Sequence, residues 1–140
     1  MRILLTALTA AVLALSGLAA NASADAAAPG AAAGIWKNPK NSVHVRIAPC
    51  GTSVCGTVVW ASERAKAKAR RGGTANLIGT QLLREFRQTA PESWSGRVFV
   101  PDMGRTFSGT LRRSGPNSLV ARGCLVAGLI CKSQTWTRIG

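Results

Sequence analysis

The sequence has no tyrosine and one histidine, His44. It has only five acidic residues: Asp25, Glu63, Glu85, Glu92 and Asp102. These shortages remove most acid–base designs. A Ser-His-Asp site needs its histidine beside an acid, and no spacing brings His44 toward Asp102. A glycosidase pair needs two facing carboxylates, but the acids beyond Asp25 are scattered singly. Asp102 itself sits in a P-D-M-G stretch and reads as a turn former. No glycine-rich loop follows a strand and opens a helix, so no phosphate cradle is written here. The sequence therefore assigns no catalytic, cofactor-binding or metal-binding residue.

No long apolar run follows the first one. That first run, Ile3 to Ala20, follows the basic start Met1-Arg2 and precedes the small-x-small stretch Ala22-Ser23-Ala24. The order is that of a secretory signal peptide over residues 1–24, cut after Ala24. The rival, a membrane anchor, is weakened by the Ala, Thr and Gly that dilute the run. Asp25 to Ala33 has no pattern to pack and reads as a disordered leader. Residues 34–140 then form one domain of ordinary size.

What the chain has in excess is positive charge. Lys and Arg number 18, for a net charge of +13, and signal cleavage removes only Arg2. Such a balance favours anionic partners or simply confers solubility. An exported protein seldom meets nucleic acid, so none is expected as a partner.

Four cysteines in a small exported chain suggest two disulfides. Three connectivities are open. Local pairing, Cys50–Cys55 and Cys124–Cys131, is expected because each pair closes a turn. Each such short loop adds roughly 2–2.5 kcal/mol on the chain-entropy estimate. The alternative, a zinc site, fits poorly, since C-x4-C and C-x6-C are not the usual knuckle spacings.

Strand patterns run along most of the domain. Gly34-Ile35-Trp36-Lys37 opens it. Ser42 to Ala48 alternates Val43, Val45 and Ile47 against His44 and Arg46, as a half-buried strand does. Val54 to Trp60 pairs back across Pro49 to Ser53. A strand from about Thr80 to Phe86 is followed by a loop from Thr89 to Ser93. Trp94 to Val100, Arg105 to Arg112 and Leu119 to Cys124 are further strands, split by turns at 101–104 and 114–117. Leu125 to Ile130 is an apolar loop, either a hydrophobic lip at a ligand entrance or, as favoured here, a segment tucked under the helix described next. Ser133 to Ile139 closes the chain.

That helix is predicted over Ser62 to Arg71. Ser62 caps it, Glu63 suits its first turn, and Gly72-Gly73 stops it. Only alanines separate its charges, so it lies on the surface over one end of the domain. Arg64, Lys68 and Arg71 share one face; Lys66 and Arg70 share the opposite one. These five are candidate contacts to an anionic partner. Arg46, Arg97, Arg112 and Arg122 are further candidates, to clamp a carboxylate inside the domain. About eight short strands with turns every eight to twelve residues predict an antiparallel barrel.

Four blocks now stand in order: G-I-W at 34–36, P-C-G-T-S-V-C-G-T-V-V-W at 49–60, W-S-G-R-V-F-V-P-D-M-G-R-T-F-S-G-T-L at 94–111, and R-G-C-L-V-A-G-L-I-C-K-S-Q-T-W-T-R-I at 122–139. Together they resemble the exported bacterial proteins grouped as domain of unknown function 2147. That family usually carries an Asp and an Asn-Pro after the third strand; A-K-A-K-A-R-R-G-G-T-A-N-L stands here instead. The resemblance implies a small up-and-down barrel similar to lipocalins and fatty-acid-binding proteins. In such barrels a G-x-W on the first strand packs beneath an arginine of the last strand. Gly34, Trp36 and Arg138 stand at the matching places and would close the barrel by cation–π stacking and hydrogen bonds.

Three functional readings follow. The first is a non-enzymatic exported barrel, periplasmic or extracellular, binding a small apolar or amphipathic ligand or an envelope component. The second is a basic envelope-associated protein binding anionic lipid or polymer. The third, a hydrolase, would need a cavity holding His44 and two acids.

Overall fold

The alternation of β-branched and charged residues becomes a closed wall. A computed structural model describes residues 31–125 and 129–140. Eight antiparallel strands form a barrel in sequence order, β8 returning to β1. They are β1 (Gly34–Lys37), β2 (Val43–Cys50), β3 (Ser53–Ala61), β4 (Gln81–Ala90), β5 (Ser93–Val100), β6 (Arg105–Gly115), β7 (Ser118–Leu125) and β8 (Ile130–Arg138). One helix, α1 (Glu63–Arg71), separates β3 from β4. In β2, Val45 and Ile47 are buried while Arg46 between them is exposed, as a strand with one wet face requires. Up-and-down order puts alternate turns at opposite ends. The turns after β2, β4 and β6 share one end with both chain termini of the domain; we call it the floor. The turns after β1, β5 and β7, and helix α1, share the other end, the mouth.

The barrel axis is filled from within. Trp36, Ile47, Leu83, Phe86, Trp94, Leu111 and Leu119 all point inward and are essentially inaccessible. Glycines facing them make the room. A Cβ on Gly56 would lie 2.7 Å from the Leu83 side chain, and one on Gly96 2.7 Å from the Phe86 ring. A Cβ on Gly109 would collide with Val98. Each of these glycines lies on the strand next to the side chain it admits, so the large residue leans over a neighbour that carries no side chain.

Four elements differ from the sequence expectation. β4 runs on to Ala90, so the expected loop Thr89–Ser93 shrinks to Pro91-Glu92. Proline fixes φ at the first position of this tight turn, and Glu92 takes the left-handed conformation at the second (φ 62°). β8 begins at Ile130 rather than Ser133, because Cys124 and Cys131 pair directly across β7 and β8. The apolar segment between them does not tuck away at the positions described: Leu129 and Ile130 are 82% and 55% exposed. Residues 126–128 lie outside the described residues. Finally, the expected leader ends in ordered structure. Ala32 is fully buried, and Ala31 and Ala33 accept hydrogen bonds on the floor. The expected signal segment 1–24 and the rest of that leader, to residue 30, lie outside the described residues.

Candidate functional site

The floor is a saturated structure. The Arg138 guanidinium stacks 4.4 Å from the Trp36 ring. Its Nε donates to Pro116 O (3.1 Å), one terminal nitrogen to Ala31 O (3.1 Å), and the other to Ala33 O. Trp36 Nε1 donates to Ala32 O at 2.9 Å. Gly34 has φ 138°, and a Cβ there would strike the Arg138 guanidinium. Glycine thus fits Gly34 twice, by backbone conformation and by space. Nearby, Arg113 pairs with Glu92 through two hydrogen bonds, which raise the pKa of the guanidinium. The Cys50–Cys55 disulfide staples the β2–β3 hairpin at this end.

The mouth is built differently. Ser62 Oγ accepts from Ala65 N (3.2 Å) and starts α1. Ser62 N in turn donates to Ser42 O, which anchors that end of the helix to the β1–β2 loop. The other end rests on the β5–β6 turn: a Cβ on Gly72 would strike the Asp102 backbone, and Thr74 Oγ1 donates to Pro101 O (3.0 Å). The helix therefore lies across the mouth as a beam. It faces inward with alanine, Ala69 being buried, and small side chains permit the close approach.

Between this beam and the wall lies a recess of about 300 Å³. Its apolar lining comes from Val43, Leu77, Leu82 and Trp136, with Ala65 and Ala69 of the helix above. Its polar rim carries Lys40, Lys68, Asp102 and Gln134. The gap exists because β1 is four residues long and pairs with β8 only at Trp36↔Arg138 and Lys37↔Thr137. Past Lys37 the chain leaves the wall as the loop 38–42. That loop is rigid: Asn38 Oδ1 accepts from Ser42 N (2.8 Å) and Val43 N (3.0 Å), while its Nδ2 donates to Ser42 Oγ (2.9 Å). Trp136 Nε1 donates to Gln134 Oε1 at 3.1 Å, so the indole at the side of the recess is fixed too. Both ion pairs among the described residues lie elsewhere, leaving Lys40, Lys68 and Asp102 as unpaired charges on the rim.

The other residues singled out from sequence are dispersed. Of the five helix cations only Lys68 lines the recess. Lys66 instead pairs with Glu63 at 2.7 Å, and the contact lowers the Glu63 pKa. Arg64, Arg70 and Arg71 are exposed. Arg46, Arg97, Arg112 and Arg122 are exposed on the outer wall, so none clamps a ligand inside the barrel. They occupy the outward half of the pleat, because their strand neighbours fill the axis. His44 lies outside the recess, its Nε2 at 2.7 Å from Asn41 Oδ1 and its ring stacked 4.4 Å from Trp60. It meets no acid there. Among the described residues no three His, Cys, Asp or Glu side chains gather as a metal site. The Cys124–Cys131 disulfide ties the β7–β8 hairpin on the mouth side.

Comparison with known proteins agrees with this geometry. The solved structure of protein HP1028 from the human pathogen Helicobacter pylori, described as belonging to the lipocalin family, is similar with a TM-score of 0.62. The two share 15% identity over 77% of this chain and 82% of that one, a likeness of fold. No curated protein gives a significant match. A bacterial family model matches residues 34–138, from the first strand to the arginine over Trp36, and the chain belongs to that family, described as uncharacterized protein conserved in bacteria (DUF2147).

Proposed function

We propose that this protein is a non-enzymatic binding barrel whose ligand occupies the recess under α1, and that the ligand is a small amphiphile with an anionic head. One observation carries the reading: an apolar recess whose rim holds two unpaired lysines against one unpaired acid, Asp102, stands above an axis filled by side chains. A ligand running down the axis would have to displace Phe86 and Leu83, so the mouth is the place left for it. The recess sits at the lower limit of the usual pocket range, which suits a short chain or single ring rather than a full lipid. Burying about 150 Å² of apolar ligand surface is worth roughly 4 kcal/mol. A charge-assisted hydrogen bond to a lysine adds about 2 kcal/mol. Set against the costs of association, these sums imply affinities from micromolar to millimolar. The two disulfides support an oxidising, exported location, periplasmic or extracellular. Among the described residues no helix is long and apolar enough to cross a membrane.

Calorimetric titration with octanoate, octylamine and octanol tests this reading. Octanoate is expected to bind saturably, and Lys68→Gln to weaken it about tenfold. Equal binding of octylamine and octanoate would show that the rim charge plays no part, and the reading would fall.

A further inference from the structure

The outer wall carries most of its charge on one side. Strands β4 to β7 carry seven arginines and one acid, Glu85. Strands β1 to β3 carry only Lys37 and Arg46 as fixed cations. Pairing aligns the arginines in rows. Arg84 lies directly opposite Arg97 across β4 and β5, and Arg97 faces Ser108 of β6. One row further toward the floor run Arg87, Ser95, Thr110, Arg122 and Ser133, each the partner of the next. Neighbours within a row are about 5 Å apart and the rows about 7 Å apart.

Like charges directly opposite each other destabilise a sheet. Here the pair is kept, and it is organised. Arg84 lies 4.5 Å over the Phe99 ring and its Nε donates to Gln81 O at 3.0 Å, which orients the guanidinium. Arg97 and Arg122 are exposed, and their side chains have no hydrogen bond or ion pair among the described residues. The exposed acid of these strands, Glu85, sits on a bulge in the left-handed conformation (φ 54°).

We infer that the outer face of β4–β7 is a binding surface for a linear anionic glycan, one whose carboxylates repeat along the chain. Guanidinium forks match carboxylates, and the serine and threonine hydroxyls between them match sugar hydroxyls. The face suits a single strand of nucleic acid or a membrane less well. Its aromatic ring, Phe99, is covered by Arg84, so it gives no platform on which bases of a single strand would stack. The wall is convex, so it offers little contact to a flat membrane. This surface is separate from the recess, and neither proposal depends on the other.

The test is fluorescence anisotropy of labelled polygalacturonate with the chain from Asp25 onward across a salt series. Parallel titrations use a single-stranded oligodeoxynucleotide and phosphatidylglycerol vesicles. Arg84→Gln/Arg97→Gln and Arg64→Gln/Arg70→Gln each remove two charges, the first from the wall and the second from α1. The wall variant is expected to bind polygalacturonate about tenfold more weakly, and the helix variant less than twofold. Arg122→Gln is expected to lose about threefold. Arg97→Gln alone is expected to keep or raise the melting temperature, since it relieves repulsion. Equal losses in the two double variants would overturn the proposal, because net charge alone would then be at work. Tighter binding of the oligonucleotide or the vesicles at matched charge would overturn it in favour of that partner.

Discussion

The floor and the mouth of this barrel are built on opposite terms. At the floor one arginine makes three hydrogen bonds and covers one indole, and that indole makes its own bond to the chain below. At the mouth Lys40, Lys68 and Asp102 stand unpaired, and Leu129, Ile130 and Met103 are exposed, against Ile139 alone of the large apolar side chains exposed at the floor among the described residues. Exposed apolar groups beside unpaired charges are what a binding end shows, whereas a saturated end serves stability. Substitutions at the floor should therefore cost folding, and those at the mouth should cost binding while leaving the fold intact.

The largest effect is expected at Trp36. Trp36→Ala removes a fully buried indole and should lower stability by about 3–5 kcal/mol in urea unfolding. A loss under about 1 kcal/mol would show that the floor is not the stabilising end. Next comes the filled axis. Gly96→Val drives a side chain into the Phe86 ring and should cost about 1–3 kcal/mol. A neutral outcome would mean that Phe86 swings aside easily, and the axis would then have room for a ligand.

The axis was written in the sequence in part. Isolated glycines inside strand patterns mark close approach, and Gly56, Gly96 and Gly109 all do so here. The barrel itself was readable because Val45-Arg46-Ile47 and its counterparts alternate cleanly between turns rich in Gly, Pro, Asp and Asn. The end of β4 was not, since R-Q-T-A-P carries no alternation and its ladder is held by β5. The apolar segment 125–130 misled for a different reason: apolar composition reads as burial, yet Leu129 and Ile130 are exposed. The recess had no local signature at all. Its lining comes from the loop 38–42, from the alanine face of α1 and from β8, far apart in the chain. Only the i, i+4 pair Ala65 and Ala69 hinted that the helix lies close against something.

Smaller effects belong to the mouth. Lys68→Gln should change stability by under about 0.5 kcal/mol while weakening octanoate. Equal losses of stability and affinity would erase the contrast between the two ends. The smallest effect is expected from pH acting on α1. Lys66 holds the Glu63 pKa below its usual value, so this contact stabilises the helix above the unfolded carboxylate pKa. That contribution is lost as pH falls through the lower folded value. Glu63 is exposed, so melting curves above and below that window should differ slightly, and Glu63→Gln should remove the difference. A large acid-induced change that survives Glu63→Gln would place the titrating group elsewhere.

The central claim is that ligand enters the mouth and not the axis. The four tryptophans report on this directly. Trp36 and Trp94 are buried along the axis, Trp136 lines the recess, and Trp60 lies on the outer wall. In a proton–nitrogen correlation spectrum of the chain from Asp25 onward titrated with octanoate, the Trp136 indole signal is expected to shift and saturate while those of Trp36 and Trp94 stay in place. Shifts at Trp36 and Trp94 with Trp136 unmoved would contradict the account.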